Sequence, residues 1–294
     1  MSLRWCRAAA LLSALALSLP AMGSAQGATP SILLGSDAVL VVTINLQEAW
    51  GEDLKDSSEI GQFVTTLLQR APYEPDVVLL QEVRRSAVLK TAKILTQKTG
   101  QTYVSPLPLA AEPWRFDSAG TWIESDTAIL MNKTTMVSVG SGSSVKTPDP
   151  WNEKYDRAKK EHAVAVLLHR ATSQKISFIS LHLGAPPSRT AAYAAKITDW
   201  TKKIAAYQIR KHPAMVHVMG GDFNWPKNVD GVVQPFWNLL HQDLGYIEGI
   251  TLFTTGSSNP AVDYIFSNAT AVGGGSGPEG SYSNHRFFWS ILKI

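Results

Sequence analysis

Cysteine is almost missing from this 294-residue chain. The one present, Cys6, lies near the amino terminus. The sequence has no GxSxG elbow, no phosphate-cradling GxxxxGK[ST] loop and no HExxH pair, which removes the common serine-hydrolase, nucleotide-loop and zinc-protease readings. It has no apolar run of the length that crosses a bilayer, about 20 residues. Charged residues make up only 17% of the chain against 45% hydrophobic. There is no charge block and no internal repeat, which leaves a globular profile with ample material for a core.

The first residues read as an export signal. Arg4 and Arg7 form a basic start, Ala8 to Leu19 is a short apolar run, and Gly23-Ser24-Ala25 offers small residues for cleavage after Ala25. The expected domains are therefore a signal peptide over 1–25 and one catalytic domain over 26–294. Removal takes Cys6 away, so the exported chain holds no disulfide and no thiol nucleophile. Arg4 and Arg7 leave too, and no acid leaves with them, so the formal charge falls from +3 to +1. Affinity for a polyanion would then rest on local clusters of cations.

The exported chain alternates strand and helix signals, the mark of an α/β protein. Ala38 to Leu46 is a β-branched apolar run ending near Asn45, and Asp76 to Leu80 is another that stops at Gln81-Glu82. Ile60 to Leu68 and Val88 to Leu95 carry helical spacing, the second closed by Gly100. Tyr103 to Pro108 and Asp126 to Met131 read as short strands around an aromatic loop from Trp114 to Trp122. Gly140 to Pro150 and Gly273 to Gly277 read as loops. His162 to His169 and Ile176 to Leu181 suggest a hairpin, Arg189 to Arg210 an amphipathic helix, and Val262 to Ser267 and Phe287 to Ile294 closing strands.

The most informative stretch is Val216 to Pro226, VHVMGGDFNWP. It reads as a buried strand that breaks at Gly220-Gly221 and presents Asp222 and Asn224 to one side. A carboxylate beside an amide suits a hard cation and the phosphate it polarises, although Gly-Asp-x-Asn also makes an ordinary Asx-turn. Five further polar residues end or adjoin apolar runs, as ligand-carrying positions of open α/β sheets do. Asn45, Glu82, His182, Asp263 and His285 join Asp222 and Asn224 in that set.

In that order, IN-L-Q, LLQEV, SLHLGAP, GDFN, VDYIF and SNH resemble the endonuclease/exonuclease/phosphatase superfamily over nearly the whole exported chain. DVVLLQEVRRSAVLK followed by TYVSPLPL is similar to its secreted deoxyribonuclease I branch. The resemblance implies a four-layer αββα sandwich of two packed mixed sheets with a site at one rim. It implies Mg²⁺ or Mn²⁺ on Glu82, with Asn45, Asp222 and Asn284 as further ligands, and a structural Ca²⁺ as an additional candidate. His285 would be the general base oriented by Asp263, and His182 its counterpart oriented by Asp126, with Glu124 close by as an alternative. Asn45 and Asn224 would hydrogen-bond the phosphate, Asp222 would orient water, and Arg84, Lys160, Arg157 and Asn284 would meet substrate.

Two departures stand out. The relatives' Ser-Asp-His is Ser283-Asn284-His285 here, one negative charge fewer beside the metal, and their Arg-Glu-Pro is Lys160-Glu161-His162. The implied activity is a secreted DNase I-like endonuclease with DNA as substrate, acting as a monomer with no obligate protein partner. A phospholipid head-group phosphodiesterase of sphingomyelinase or phosphoinositide type is the alternative, and a binding-only relative the third reading.

Overall fold

A computed structural model describes residues 36–47, 55–107, 115–116, 122–124, 126–148, 159–184, 190–225, 247–248 and 262–294. All lie in the unit Leu33–Ile294. The expected signal segment and Arg157 fall outside the described residues, as do the side chains of the Trp114–Trp122 loop and of Glu124.

Strand β1 (Ala38–Asn45) is buried on both faces. Its even-numbered Leu40, Val42 and Ile44 share one core with Ile60, Phe63, Val64 and Leu67 of helix α1 (Ser57–Arg70). Val88 and Leu95 of helix α2 (Arg85–Thr99) join the same core. Its odd-numbered Val39 and Val41 enter a second core with residues of another sheet. A strand covered on both sides needs no polar alternation, which is why the sequence shows a continuous apolar run. The helix ends follow local chemistry. Asp56 caps α1 in a reciprocal box with Glu59, and Gly100 ends α2 at φ 73.

Six strands form the first sheet, in the order β14 (Thr270–Ser276), β15 (Phe288–Lys293), β1, β2 (Val77–Gln81), β6 (Ala128–Asn132) and β3 (Tyr103–Val104). The second runs β12 (Ile247–Glu248), β13 (Asp263–Ser267), β11 (Val216–Asp222), β10 (Lys175–His182), β9 (Lys159–His169), β5 (Trp122–Glu124) and β4 (Arg115–Phe116). Strands β7 (Met136–Ser138) and β8 (Ser143–Pro148) also pair with β9. Both sheets are mixed: β1 runs parallel to β2 and β10 to β11, while most other pairs are antiparallel. Helix α3 (Ala191–Lys211) covers the outer face of the second sheet through Ile197, Trp200 and Ile204 against Ile179, Met219 and Phe266. The layers are therefore helices, sheet, sheet, helix, the αββα sandwich the resemblance implies.

Three expectations are corrected. Residues 140–150 do not form a loop throughout, because Ser143–Pro148 is strand β8 on β9. Its Val145 and Thr147 turn inward, Val145 toward the α3 core and Thr147 to a buried bond with His162. Nor is the Gly273–Gly277 run a loop as a whole, since its glycines continue β14 beside β15. A Cβ on Gly275 would lie 2.5 Å from the Trp289 ring, so the aromatic claims the space a side chain would fill. Lastly, β11 does not break at Gly220-Gly221. It continues through both to Asp222, paired with β10 and β13 on its two sides.

Candidate active site

Each central strand turns polar toward the same end of the space between the sheets. On β1 that face reads Val39, Val41, Thr43, Asn45, and on β2 it reads Val77, Leu79, Gln81. On β10 it reads Ile176, Phe178, Ser180, His182, on β11 Val218, Gly220, Asp222, and on the reversed β13 Ile265, Asp263. Register keeps these ends level: Asn45 pairs with Gln81, His182 with Asp222, and Asp222 with Asp263. Paired residues project from the same face of a sheet, so strand pairing alone gathers the polar set.

Beneath the site the two sheets are bonded to each other. Gln81 donates through Nε2 to Ser180 Oγ at 2.9 Å, and Ser180 donates to the Leu80 carbonyl at 2.9 Å. Thr43 donates to Gln81 Oε1 at 3.2 Å. A Cβ on Gly220 would stand 2.7 Å from Leu79, which marks how closely the sheets approach there. Next to it, Gly221 has φ +147, and a Cβ would sit 1.9 Å from the Leu181 carbonyl oxygen. That backbone belongs to glycine.

The chain then leaves the strands in unusual conformations. Glu82 has φ 48 and Asn224 φ 52, uncommon for residues other than glycine. Asp222 Oδ1 accepts the Asn224 amide at 2.6 Å, and Asn224 Nδ2 donates to the Leu183 carbonyl at 2.6 Å. Asn224 thus locks the β10 and β11 ends together, and in this arrangement its amide nitrogen is committed to Leu183. The same-side extended geometry expected of Asp222 and Asn224 is replaced by an Asx-turn.

Asn45 Nδ2 donates to Glu82 Oε1 at 2.7 Å and to Asp222 Oδ2 at 3.0 Å. Its Oδ1 accepts the Gln47 amide at 2.9 Å. The oxygen accepts from Gln47 and the nitrogen faces the acids, so Asn45 acts here as a donor toward Glu82 and Asp222. Glu82, His182 and Asp222 each offer a ligand atom within 4.8 Å of the others. Asp222, Asp263 and His285 form a second such group. Asp222 is common to both, so the acid near the start of the chain and the imidazole near its end flank one carboxylate.

Each imidazole has its own acid. His182 Nδ1 lies 2.6 Å from Asp126 Oδ2, and its Nε2 is 3.4 Å from Glu82 and 3.9 Å from Asp222. Burial works against charge on His182, but Asp126 outweighs it and Glu82 adds to the pull. The ring is lifted to about 9, with Lys160 opposing. His285 Nδ1 lies 2.8 Å from Asp263 Oδ2. Burial again lowers its basicity, while Asp263, Asp222 and Glu82 together raise it well above the ordinary imidazole range. Burial also pushes the Asp263 carboxyl upward, against the pull of His285.

The remaining expected residues take varied places. Lys160 is buried, with Nζ 3.1 Å from His182 Nδ1 and 3.8 Å from Asp126. Its ammonium there faces the Asp126 carboxylate and opposes charge on His182. Arg84 is half-buried at the N-cap of α2, and Asn284 is exposed beside His285. Sequence reasoning missed His162, which is fully buried, and burial holds its imidazole down at about 3. It accepts the His182 amide at Nδ1 (3.2 Å) and meets Thr147 Oγ1 at Nε2 (2.8 Å). A histidine at the head of an apolar strand run gives no clue to such partners. Gln81 and Ser180 were equally silent, although their parity with Asn45 and His182 could have marked them.

No family model matches this sequence, and no curated protein matches it. Solved structures share its fold. The endonuclease/exonuclease/phosphatase from Bacteroides vulgatus gives a TM-score of 0.62 at 11% identity, over 87% of this chain and 99% of its own. The human nocturnin catalytic domain with bound sulfate gives 0.56 at 16%, over 87% and 93%. D. rerio TDP2 complexed with a single-strand DNA product gives 0.57 at 12%, over 87% and 99%. At these identities the likeness is one of fold.

Proposed function

We propose that this chain is an endonuclease/exonuclease/phosphatase-superfamily hydrolase, a divalent-metal-dependent phosphodiesterase whose substrate is DNA. The observation that carries the reading is Asp222 at one rim between two acid–imidazole pairs, Asp126–His182 and Asp263–His285. The fold shared with structures of that superfamily supports it, as does the DNA product held by one of them. We also propose that the protein acts after export, on the basis of residues 1–25.

The donor set fits a hard cation. Glu82 and Asp222 supply carboxylate oxygens within reach of each other, with His182 adjacent, and Glu82 is the most exposed of the site's acids. Glu82 and Asp222 would hold Mg²⁺ or Mn²⁺, which would supply polarisation of a phosphoryl oxygen and neutralise its charge. Asn45 adds hydrogen-bond donation there without adding negative charge.

His285 has Nδ1 committed to Asp263, so Nε2 is the nitrogen that takes a proton from water. As water oxygen bonds to phosphorus, its proton passes to His285, the bond from phosphorus to the 3′-oxygen breaks, and the departing oxygen takes a proton from charged His182 or from solvent. The products carry 5′-phosphate and 3′-hydroxyl ends. With its acid partners the ring is a strong base, and neutralising Glu82 and Asp222 would weaken its hold on a resident proton. His182, whose charged form Asp126 favours, stabilises negative charge on the phosphoryl group or leaving oxygen.

Purified protein should nick supercoiled plasmid in Mg²⁺, and EDTA should abolish the reaction. His285→Ala should lower the rate by about 10²-fold or more while leaving the fold intact. Asn284→Asp should raise metal affinity. Plasmid, RNA, sphingomyelin and inositol phosphates compared side by side test the substrate. Rapid hydrolysis of the choline lipid with plasmid left intact would reverse the reading.

A further inference from the structure

We propose that Gln47 is a positioning residue for His285, a role that rests on the phosphodiesterase reading above. Gln47 follows β1 by two residues and has φ 56, a backbone region that side chains other than glycine seldom enter. That turn sets two hydrogen bonds at once. The Gln47 amide donates to Asn45 Oδ1 at 2.9 Å, and Gln47 Oε1 accepts the Asn284 amide at 2.9 Å.

A second link runs beside the first. Ser283, itself buried, donates through Oγ to the Asn45 carbonyl at 2.6 Å and accepts the His285 amide at 2.9 Å. The segments 45–47 and 283–285, far apart in sequence, are thus tied by a closed set of four bonds. One end fixes which face of the Asn45 amide meets Glu82 and Asp222. The other fixes the turn that carries His285, whose ring is held from the opposite side by Asp263. Gln47 is the only side chain in the set that reaches the exposed residue 284, where the charge of the relatives' acid is missing.

The physical consequence is selective. Asn284 is exposed, so water replaces a lost acceptor and the fold survives the loss. The register between the acids and the base is what slackens, and turnover depends steeply on such alignment. Loss of Gln47 should therefore reduce kcat and leave KM and the melting temperature nearly unchanged.

The test compares Gln47→Met, which removes the acceptor at similar size, with Gln47→Glu, which keeps it. With supercoiled plasmid and Mg²⁺, Gln47→Met should lower kcat about tenfold with KM within about twofold, and Gln47→Glu should recover most of the loss. In histidine-labelled protein the His285 ring resonance should broaden or split in Gln47→Met and stay sharp in Gln47→Glu. Unchanged kcat with an unchanged resonance in Gln47→Met overturns the proposal, and so does a rise in KM alone, which marks a substrate contact. If the native protein hydrolyses no diester, the phosphodiesterase reading fails by itself and the resonance decides the role of Gln47.

Discussion

Asp222 and Asp263 stand directly opposite each other in the antiparallel β11–β13 ladder, both buried. Like charges facing across a ladder destabilise a sheet, so this pairing persists because other groups offset it. His285 offsets it at Asp263, and Asn45 at Asp222. Asp263→Asn keeps an acceptor for His285 Nδ1 and removes one charge. His285 basicity, raised in part by that charge, must then fall. A base acts in its neutral form, so the acid limb of the pH–rate profile should move to lower pH. The plateau should drop by about 10²- to 10⁴-fold as the base weakens. An acid limb that stays in place would remove His285 from the role of base.

The His182–Asp126 pair predicts a stability that depends on pH. Against burial, Asp126 lifts His182 to about 9, above its value of roughly 6.5 in the unfolded chain. A raised imidazole contributes stability that is complete below about pH 6.5 and is lost as pH climbs through about 9. Asp126→Asn should therefore cost up to about 3 kcal/mol at pH 6, and the gap to the native protein should narrow by pH 9.5. Urea unfolding at the two pH values measures it. An equal gap at both would show that Asp126 serves packing and not charge.

The double glycine of β11 separates two kinds of steric limit. At Gly220 an added Cβ meets the Leu79 side chain at 2.7 Å, and a side chain has some freedom to give way. At Gly221 it meets the Leu181 carbonyl oxygen at 1.9 Å on a backbone at φ +147. That backbone is held in the β10–β11 ladder through the Leu181–Gly221 pairing. Gly221→Ala should cost several kcal/mol, on the order of 3 or more, and Gly220→Ala clearly less. Denaturant midpoints rank the two, and a reversed order would show that β11 has freedom its pairing denies.

Much of this site was legible because its residues end strands. Asn45, His182 and Asp222 each close an apolar run and Asp263 opens one, and parity along the strand tells which face they share. Glu82 has the opposite parity and leaves the strand at φ 48. Other features were hidden by composition. Strand β8 carries only Val145 and Thr147 as inward residues among serines and a lysine, and a Gly/Ser-rich neighbourhood reads as a loop. Strand β14 is rich in glycine, and across the ladder Ile291 and the Trp289 ring take the space that side chains at 273 and 275 would fill. The inward turn of Lys160 was illegible for another reason. A lysine beside an acid is ordinarily solvated, and only the burial of Asp126 and His182 gives it a cause to leave water.

The far end of the same sheet holds an acid with no catalytic partner. Asp76 is 4% exposed, and its Oδ2 accepts the Leu40 amide at 2.7 Å. Burial raises its carboxyl to about 6, with Glu74 adding to the rise and the Leu40 amide opposing it. In the unfolded chain the group titrates near its ordinary value, roughly 3.9. The sign follows: the contribution to stability is complete below about pH 4 and is lost as pH rises through about 6. Asp76→Asn keeps an oxygen for Leu40 and never ionises. Above about pH 6.5 it should be the more stable protein, by up to about 3 kcal/mol, and below pH 4 the two should converge. Because Asp76 precedes β2 while Glu82 follows its other end, phosphodiester hydrolysis should be unchanged in the variant. Thermal melts at pH 4 and pH 8 give the answer, and a variant less stable at pH 8 would mean that the ionised carboxylate is the form the fold requires.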